Sequence, residues 1–392
     1  MFGVVVCASV ALAKPYRITV APPAQDRLAT VVTFNVPTDA PKSAALRDAA
    51  GKSLPVQTGA GGTGSFVIPQ QRAGEALIYV LDEAPTVSRV TVENEPGRMH
   101  VAIDGAAVLD YRTDKDALPR SDIDSKYKRA GYLHPLLTPA GKIVSGDYPS
   151  NHVHHHGIWS PWTKTQFQGR KPDFWNMQDR TGTVEFAGIE RTWSGPVHGG
   201  FVSRQRMIDL SAPTPVAALN ETWEVTVYDV RGAPLPMRVF DLAITQTCAT
   251  SDPLVLPQYH YGGLGYRGRD EWNGKANFTV LTSEGETDRV KANATRLRWI
   301  FAGGAVEGNA QAGVAVFDRP DNFRAPQPVR VHPDMPYWSI TPSQLGDWAI
   351  EPGQPYVAHY RFIAVDGVPT RAQLEACWNS YATPVKMSVG SM

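Results

Sequence analysis

Short runs that alternate polar and apolar residues, rich in β-branched and aromatic side chains, recur along almost the whole chain. Thr222-Trp223-Glu224-Val225-Thr226-Val227-Tyr228 is the clearest, and residues 99–103, 107–111, 237–244 and 356–365 read the same way. A period of two places alternate side chains on opposite faces of a strand, and a helix cannot use that pattern. Glycine (34) and proline (32) are dispersed between the runs and supply turns. Only residues 370–378 carry helical spacing, with Thr370 as the N-cap. The expected fold class is therefore all-β, with sheets packed face to face.

Residues 14–94 read as a small Ig-like β-sandwich module, with alternating strands near 30–36 and 76–81 and a flexible Gly59–Gly64 turn between them. Asn94-Glu95-Pro96-Gly97 is the expected seam, and residues 95–392 form a large two-sheet β-sandwich domain. Residues 1–13, apolar and ending in Ala11-Leu12-Ala13, read as a secretory signal whose positively charged start is missing. The expected location is periplasmic or secreted. Lipidation at Cys7 is disfavoured by the bulky Val6 before it. No other segment is long and apolar enough to span a bilayer. With 38 basic and 38 acidic residues and no basic run, nucleic-acid binding has no electrostatic support. Cys248 and Cys377 could pair in an oxidising compartment, but nothing in their spacing demands it, and two buried thiols is the favoured reading.

Chemistry concentrates at Asn151-His152-Val153-His154-His155-His156-Gly157. Five of the ten histidines, His134, His152, His154, His155 and His156, fall between positions 134 and 156. Histidine titrates near neutrality and is the commonest metal ligand, so metal binding and proton transfer are both open. An extended segment would put His152, His154 and His156 on one face and leave His155 opposite, as a hydrogen-bonded core histidine. Gly146 and the two histidines start a cupin-like G-x5-H-x-H, but Ile158 and Trp159 stand where its glutamate belongs. No H-E-x-x-H and no G-x-S-x-G occurs. Two further clusters mix imidazole, cation and aromatics. Gln258-Tyr259-His260-Tyr261 runs on into glycines and Arg267, and Arg330-Val331-His332-Pro333-Asp334 leads to Tyr337-Trp338. The glycines around 262–268 lack the spacing and strand-to-helix context of a nucleotide fingerprint.

His134-Pro135-Leu136-Leu137-Thr138-Pro139-Ala140-Gly141, the stretch from Pro149 to Gly157, and Gly262-Gly263-Leu264-Gly265-Tyr266-Arg267-Gly268 together resemble a family of exported bacterial proteins. That family is labelled methane oxygenase PmoA-like, and the similarity runs over roughly residues 95–365. Asn151 stands where its pattern has aspartate, and His156 where it has arginine. The resemblance implies a sugar-related role and a sandwich of the galactose-mutarotase type, with His134, His260 and Arg267 as neighbours of the histidine stretch.

Three readings follow. The first is a carbohydrate-active enzyme, a hydrolase, lyase or epimerase. In it His154 and His260 act as general acid or base, and His134, His152, Trp159, Trp175, Arg267 and His332 bind the sugar. The second is an enzyme dependent on a divalent metal held by His134, His152 and His154. The third is a non-catalytic glycan binder stacking sugars on Trp159, Trp162 and Trp175.

Overall fold

The computed structural model describes residues 15–41 and 43–392, so the leader read at 1–13 lies outside the described residues. The protein is all-β, built from three main sheets in which neighbouring strands run antiparallel. Seven strands form the first sheet, in the order Arg27–Asn35, Thr63–Gln71, Ser53–Thr58, Ala44–Arg47, Leu77–Glu83, Tyr16–Val20 and Met387–Ser391. It folds over on itself as a small sandwich around Ile18, Val20, Val32, Phe34, Leu46, Phe66 and Leu81.

The large sandwich pairs a nine-stranded with an eight-stranded sheet. The nine-stranded sheet has the central order Pro328–Val331, Tyr337–Ile340, Leu264–Arg267, Ile158–Trp159, Tyr132–Leu136 and Ala106–Arg112. The eight-stranded sheet centres on Val216–Tyr228, Met237–Cys248 and Tyr356–Asp366. Between the two sheets lies one apolar core. Leu109, Tyr111, Leu133, Ile158, Tyr266 and Trp338 face Phe201, Trp223, Leu242 and Phe362 there. Removing these side chains from water is the main stabilising term.

The second face of the eight-stranded sheet is covered too. Val239, Phe317, Ile363 and Val365 meet Leu28 of the small sandwich and Leu374 and Cys377 of helix Arg371–Ala382. Burial on both faces explains why the alternation expected over 356–365 gives way to an unbroken buried run from Tyr360 to Val365. The helix starts in a capping box, with Thr370 accepting from the Gln373 amide and the Gln373 side chain reaching back. A second helix of one turn, Arg289–Ala292, is capped by Asp288. Cys248 and Cys377 are both free thiols, Cys377 buried and Cys248 half-buried.

The Asn94–Gly97 segment is a hairpin turn, with Glu95 opposite Arg98 inside the nine-stranded sheet. The chain passes from the small sandwich to the large one between Glu83 and Val90. It then returns at its end, where Met387–Ser391 pairs with Tyr16–Val20. Among the described residues no helix is long and apolar enough to cross a membrane.

Candidate functional site

The three histidine-bearing segments are far apart in sequence but feed adjacent strands. Ile158 pairs with Tyr266 and Trp159 with Gly265, while Gly265 pairs with Ser339 and Arg267 with Tyr337. Because side chains alternate, Ile158, Tyr266 and Trp338 point into the sandwich core and Trp159 and Tyr337 to the opposite, outer face. There Trp159, Trp175, Tyr337, Tyr132, Tyr148 and Met335 form a separate aromatic layer. Gly265 is required beneath it, because a Cβ would stand 2.7 Å from the Trp175 ring and 3.1 Å from that of Trp159.

The histidine stretch lies over this layer as a series of turns, not as a strand. The His152 amide donates to Pro149 C=O (3.1 Å) and the His155 amide to His152 C=O (2.8 Å), so the backbone bonds to itself. The repeat is then three residues and not two, which corrects the expected alternation. His152 and His155 come together with ring centroids 5.0 Å apart, and His154 lies 5.7 Å from His152 and 4.7 Å from His155. His155 packs its ring on Tyr337 (4.8 Å) and Trp159 (5.1 Å). His156 turns away and is fully buried, with Nδ1 2.7 Å from Asp147 Oδ1 and its ring stacked on Tyr132.

His152, His154 and His155 line a cavity of about 250 Å³ together with His260, His332 and Arg330. Trp175, Tyr261 and Tyr337 supply aromatic walls, and Asn176 and Gln178 supply amides. Asn176 is fixed by Asp173, which accepts from both its backbone and side-chain N–H groups at 2.8 Å, and Asn176 Nδ2 also donates to the Tyr261 hydroxyl (2.9 Å). No carboxylate is among the residues lining the cavity. Asn176, Gln178 and Tyr261 also line a neighbouring polar cleft of about 760 Å³, whose lining includes Asp173 and Asp179.

Burial disfavours the charged form of these rings. It holds His154 down at about 3, aided by the neighbouring His152, and His332 at about 4, aided by Arg330. His155 is pushed well down for the same reason, and the more exposed His260 is lowered by burial and by Arg330. The buried Nδ1 atoms of His152 and His155 have no hydrogen-bond partner among the described residues. His332 is different, because its Nδ1 accepts from the backbone amides of Asp334 (3.1 Å) and Met335 (3.0 Å). That network assigns the proton of the neutral ring to Nε2, which makes Nε2–H a donor.

Nitrogen NMR of the histidine rings is expected to show His332 as the uncharged Nε2–H tautomer from neutrality down to about pH 4, and His154 uncharged to about 3. Both values lie below the ordinary 6.5, so the stability these rings contribute is present above pH 6.5 and is lost as pH falls toward 4 and 3. Asp147 and Glu221, pushed up by burial to about 6 and about 7, act in the opposite sense. Ring resonances therefore test the assignment where a bulk melting curve would mix the two. Titration of His332 near 6.5 would refute it.

Of the residues expected to bind substrate or metal, the cavity brings together His152, His154, His260, His332 and Trp175. The other three do not line it. His134 faces Ser145, with Nδ1 2.9 Å from Oγ, and so does not complete a trio with His152 and His154. Among the described residues no group of three or more His, Cys, Asp or Glu is arranged to hold a metal ion. Trp159 is wholly buried under His155. Arg267 is also buried, and it braces the loop: Nη2 donates to Asn151 Oδ1 (3.0 Å), Asn273 Oδ1 (3.0 Å) and Asp270 Oδ1 (3.3 Å). The three-tryptophan platform fails as well, since Trp162 lies in the inter-sheet core and donates Nε1–H to Gln246 Oε1 (2.7 Å). His155, expected in the core, lines the site too, as do Asn176, Gln178, Tyr261, Arg330, Met335 and Tyr337, to which the sequence assigns no individual role. Tyr261, Arg330 and Tyr337 lie in the two later histidine clusters of the sequence.

Fold and site together define an all-β protein with a histidine-lined cavity on the outer face of one sheet of a large sandwich. The chain belongs to a family of unknown function, DUF6807, whose model matches residues 98–379. That match encloses every residue lining the cavity. No curated protein matches the chain. Among solved structures it is similar to an alpha-mannosidase from Enterococcus faecalis V583, at 11% identity and a TM-score of 0.46, over 96% of this chain and 46% of that one. It is also similar to a protein in the Glycosyl Hydrolase Family 38 from Enterococcus faecalis, at 10% identity and a TM-score of 0.40, over 97% of this chain and 47% of that one. The chain thus spans about half the length of the structures it matches.

Proposed function

We propose that this protein is a carbohydrate-active enzyme that works by proton transfer through uncharged imidazoles. The observation that carries the reading is the convergence of His152, His154, His155, His260 and His332 with aromatic walls and amide donors in one cavity. Aromatic faces suit the apolar faces of sugar rings, and amides and imidazoles suit their hydroxyls. Most glycoside hydrolases flank the scissile bond with two carboxylates; the cavity lining supplies none, and of the two in the neighbouring cleft, Asp173 and Asp179, Asp173 is committed to Thr163, Trp175 and Asn176. Among hydrolase, lyase and epimerase, the lining therefore favours the two that begin by removing a proton from carbon.

His260 and His154 are the proposed acid–base residues. Both rings are lowered, so near neutrality both are uncharged, and His154, held at about 3, is the weaker base of the two. His260 is the more exposed and exchanges its proton with solvent. The hydroxyl of Tyr261, pushed up to about 12 by burial, stays protonated and is the available donor to a leaving oxygen. His332, through Nε2–H, holds a sugar oxygen.

The test is product formation from plant and algal oligosaccharides by the full chain. His260→Ala and His154→Ala are each expected to lower kcat by about 100- to 10,000-fold, the range for removal of a general acid–base group. Undiminished turnover in both variants would refute the assignment.

A further inference from the structure

We infer that the sugar taken by this cavity carries a carboxylate, as a uronic acid residue does, and that Arg330 is the group that holds it. The inference rests on the proposed function and names its substrate class. Arg330 is half-buried on strand Pro328–Val331 and lines the cavity. Its Nη1 is anchored by Asn293 Oδ1 (2.9 Å) and by Val331 C=O (3.2 Å). Those bonds fix one edge of the guanidinium and leave Nε and Nη2 with no partner among the described residues. No ion pair of Arg330 occurs among them either, whereas Arg361 and Arg298, also partly buried, each hold a carboxylate through two nitrogens.

The remaining cavity residues are imidazoles, amides, aromatic rings and a thioether, so Arg330 carries the one formal charge on the lining. A fixed, partly desolvated guanidinium with a free edge presents parallel N–H donors, the geometry that a carboxylate accepts in a bidentate pair. A neutral sugar would leave that charge uncompensated.

The same contact supplies the chemistry. A carboxylate on C5 acidifies the adjoining C5–H, and pairing it with Arg330 stabilises the negative charge that develops as the proton leaves. His260 takes the C5 proton, and the C–H electron pair becomes the C4=C5 double bond. The C4–O bond breaks with its electrons on oxygen, and Tyr261 protonates that oxygen. One glycosidic bond is lost and one double bond is gained, with no water or oxidant consumed. The adjoining cleft gives the rest of an oligosaccharide room on one side of the cavity.

The experiment offers the full chain oligomers of galacturonate, of glucuronate, and of mannuronate with guluronate, each beside its carboxyl-reduced, neutral counterpart. Binding is measured at equilibrium, and cleavage by the ultraviolet absorbance of the unsaturated product. At least one acidic oligomer is expected to bind about 10- to 100-fold more tightly than its reduced form. Arg330→Gln should lose the same factor for the acidic oligomer and nothing for the neutral one, with Arg330→Lys recovering part of the loss. Melting curves of both variants establish that they fold. If neutral oligomers are turned over as well as acidic ones, or Arg330→Gln leaves acidic binding unchanged, the carboxylate inference falls and the proton-transfer reading stands. If no oligomer of either kind binds or reacts, both fall.

Discussion

Trp159→Ala is expected to destabilise the protein by about 3–5 kcal/mol, the cost of removing a large aromatic side chain from a packed interior. The indole is wholly buried and lies at the centre of the outer aromatic layer, with ring centroids 4.7 Å from Trp175, 5.1 Å from His155 and 6.1 Å from Tyr337. Its loss would open a void under the histidine loop that neighbouring strands cannot close, because Gly265 beside it has no side chain to move in. The indole Nε1 makes no hydrogen bond among the described residues. Trp159→Phe therefore removes volume only and is expected to cost about 1–2 kcal/mol. Denaturant unfolding of the two variants checks this. A sugar-stacking role would give the reverse pattern, with stability close to that of the parent protein and sugar affinity lost in both.

The sandwich was legible because most of its strands bury one face and expose the other. Val216–Tyr228 and Met237–Cys248 keep that alternation over most of their length, so a period of two could be read directly. Tyr356–Asp366 was legible as a strand from the same alternation, but that alternation of burial stops after His359, and the cover on both faces beyond it was not legible. The closing strand was not legible. Met387–Ser391 is mostly exposed, its alternation is confined to Met387 and Val389, and it is defined by pairing with Tyr16–Val20 at the other end of the chain. Nothing local in Met-Ser-Val-Gly-Ser marks a partner that remote.

In the site, residue types were legible and their directions were not. A cluster of histidines with aromatics and glycines signals chemistry whatever the backbone does. Assigning faces needs the backbone, and the stretch after Pro149 bonds to itself in turns and pairs with no neighbouring strand. One step of local hydrogen bonding thus moved His155 from the hidden face to the cavity wall and sent His156 down to Asp147. The same limit applies to Arg267 and Arg330. Both are arginines in motif-like surroundings, but strand alternation and neighbouring acceptors decide which is buried as a brace and which lines the cavity.

Arg267→Ala is the sharper test of that division, with an expected loss of about 2–5 kcal/mol, the cost of emptying the space of a large buried side chain and unpairing Asn151. The side chain is fully buried, and one nitrogen serves Asn151, Asn273 and Asp270 together. Asn151 opens the histidine loop, so the guanidinium ties that loop to the segment after Leu264–Arg267. Without it Asn151 Nδ2 keeps only its bond to Asn273 (3.1 Å). Loosening should therefore begin at 151–156 before the sheets separate. Hydrogen exchange is expected to show the His155 amide, bonded to His152 C=O, opening earlier in the variant than the amides of Leu264–Arg267. Arg267→Lys should recover little, because a single ammonium on a flexible stem does not reproduce the planar fork. Asn151→Asp should change stability little, since a carboxylate accepts from the same Nη2 and adds charge pairing, which offsets the lost Nδ2 donor to Asn273 Oδ1. If Arg267→Ala melts with the parent protein and only sugar binding suffers, Arg267 faces the ligand and the brace assigned to it here is wrong. If instead stability falls and Asn151→Asp leaves it unchanged or raises it, the loop is held from below by Arg267, and Arg330 is left as the cation that meets the substrate.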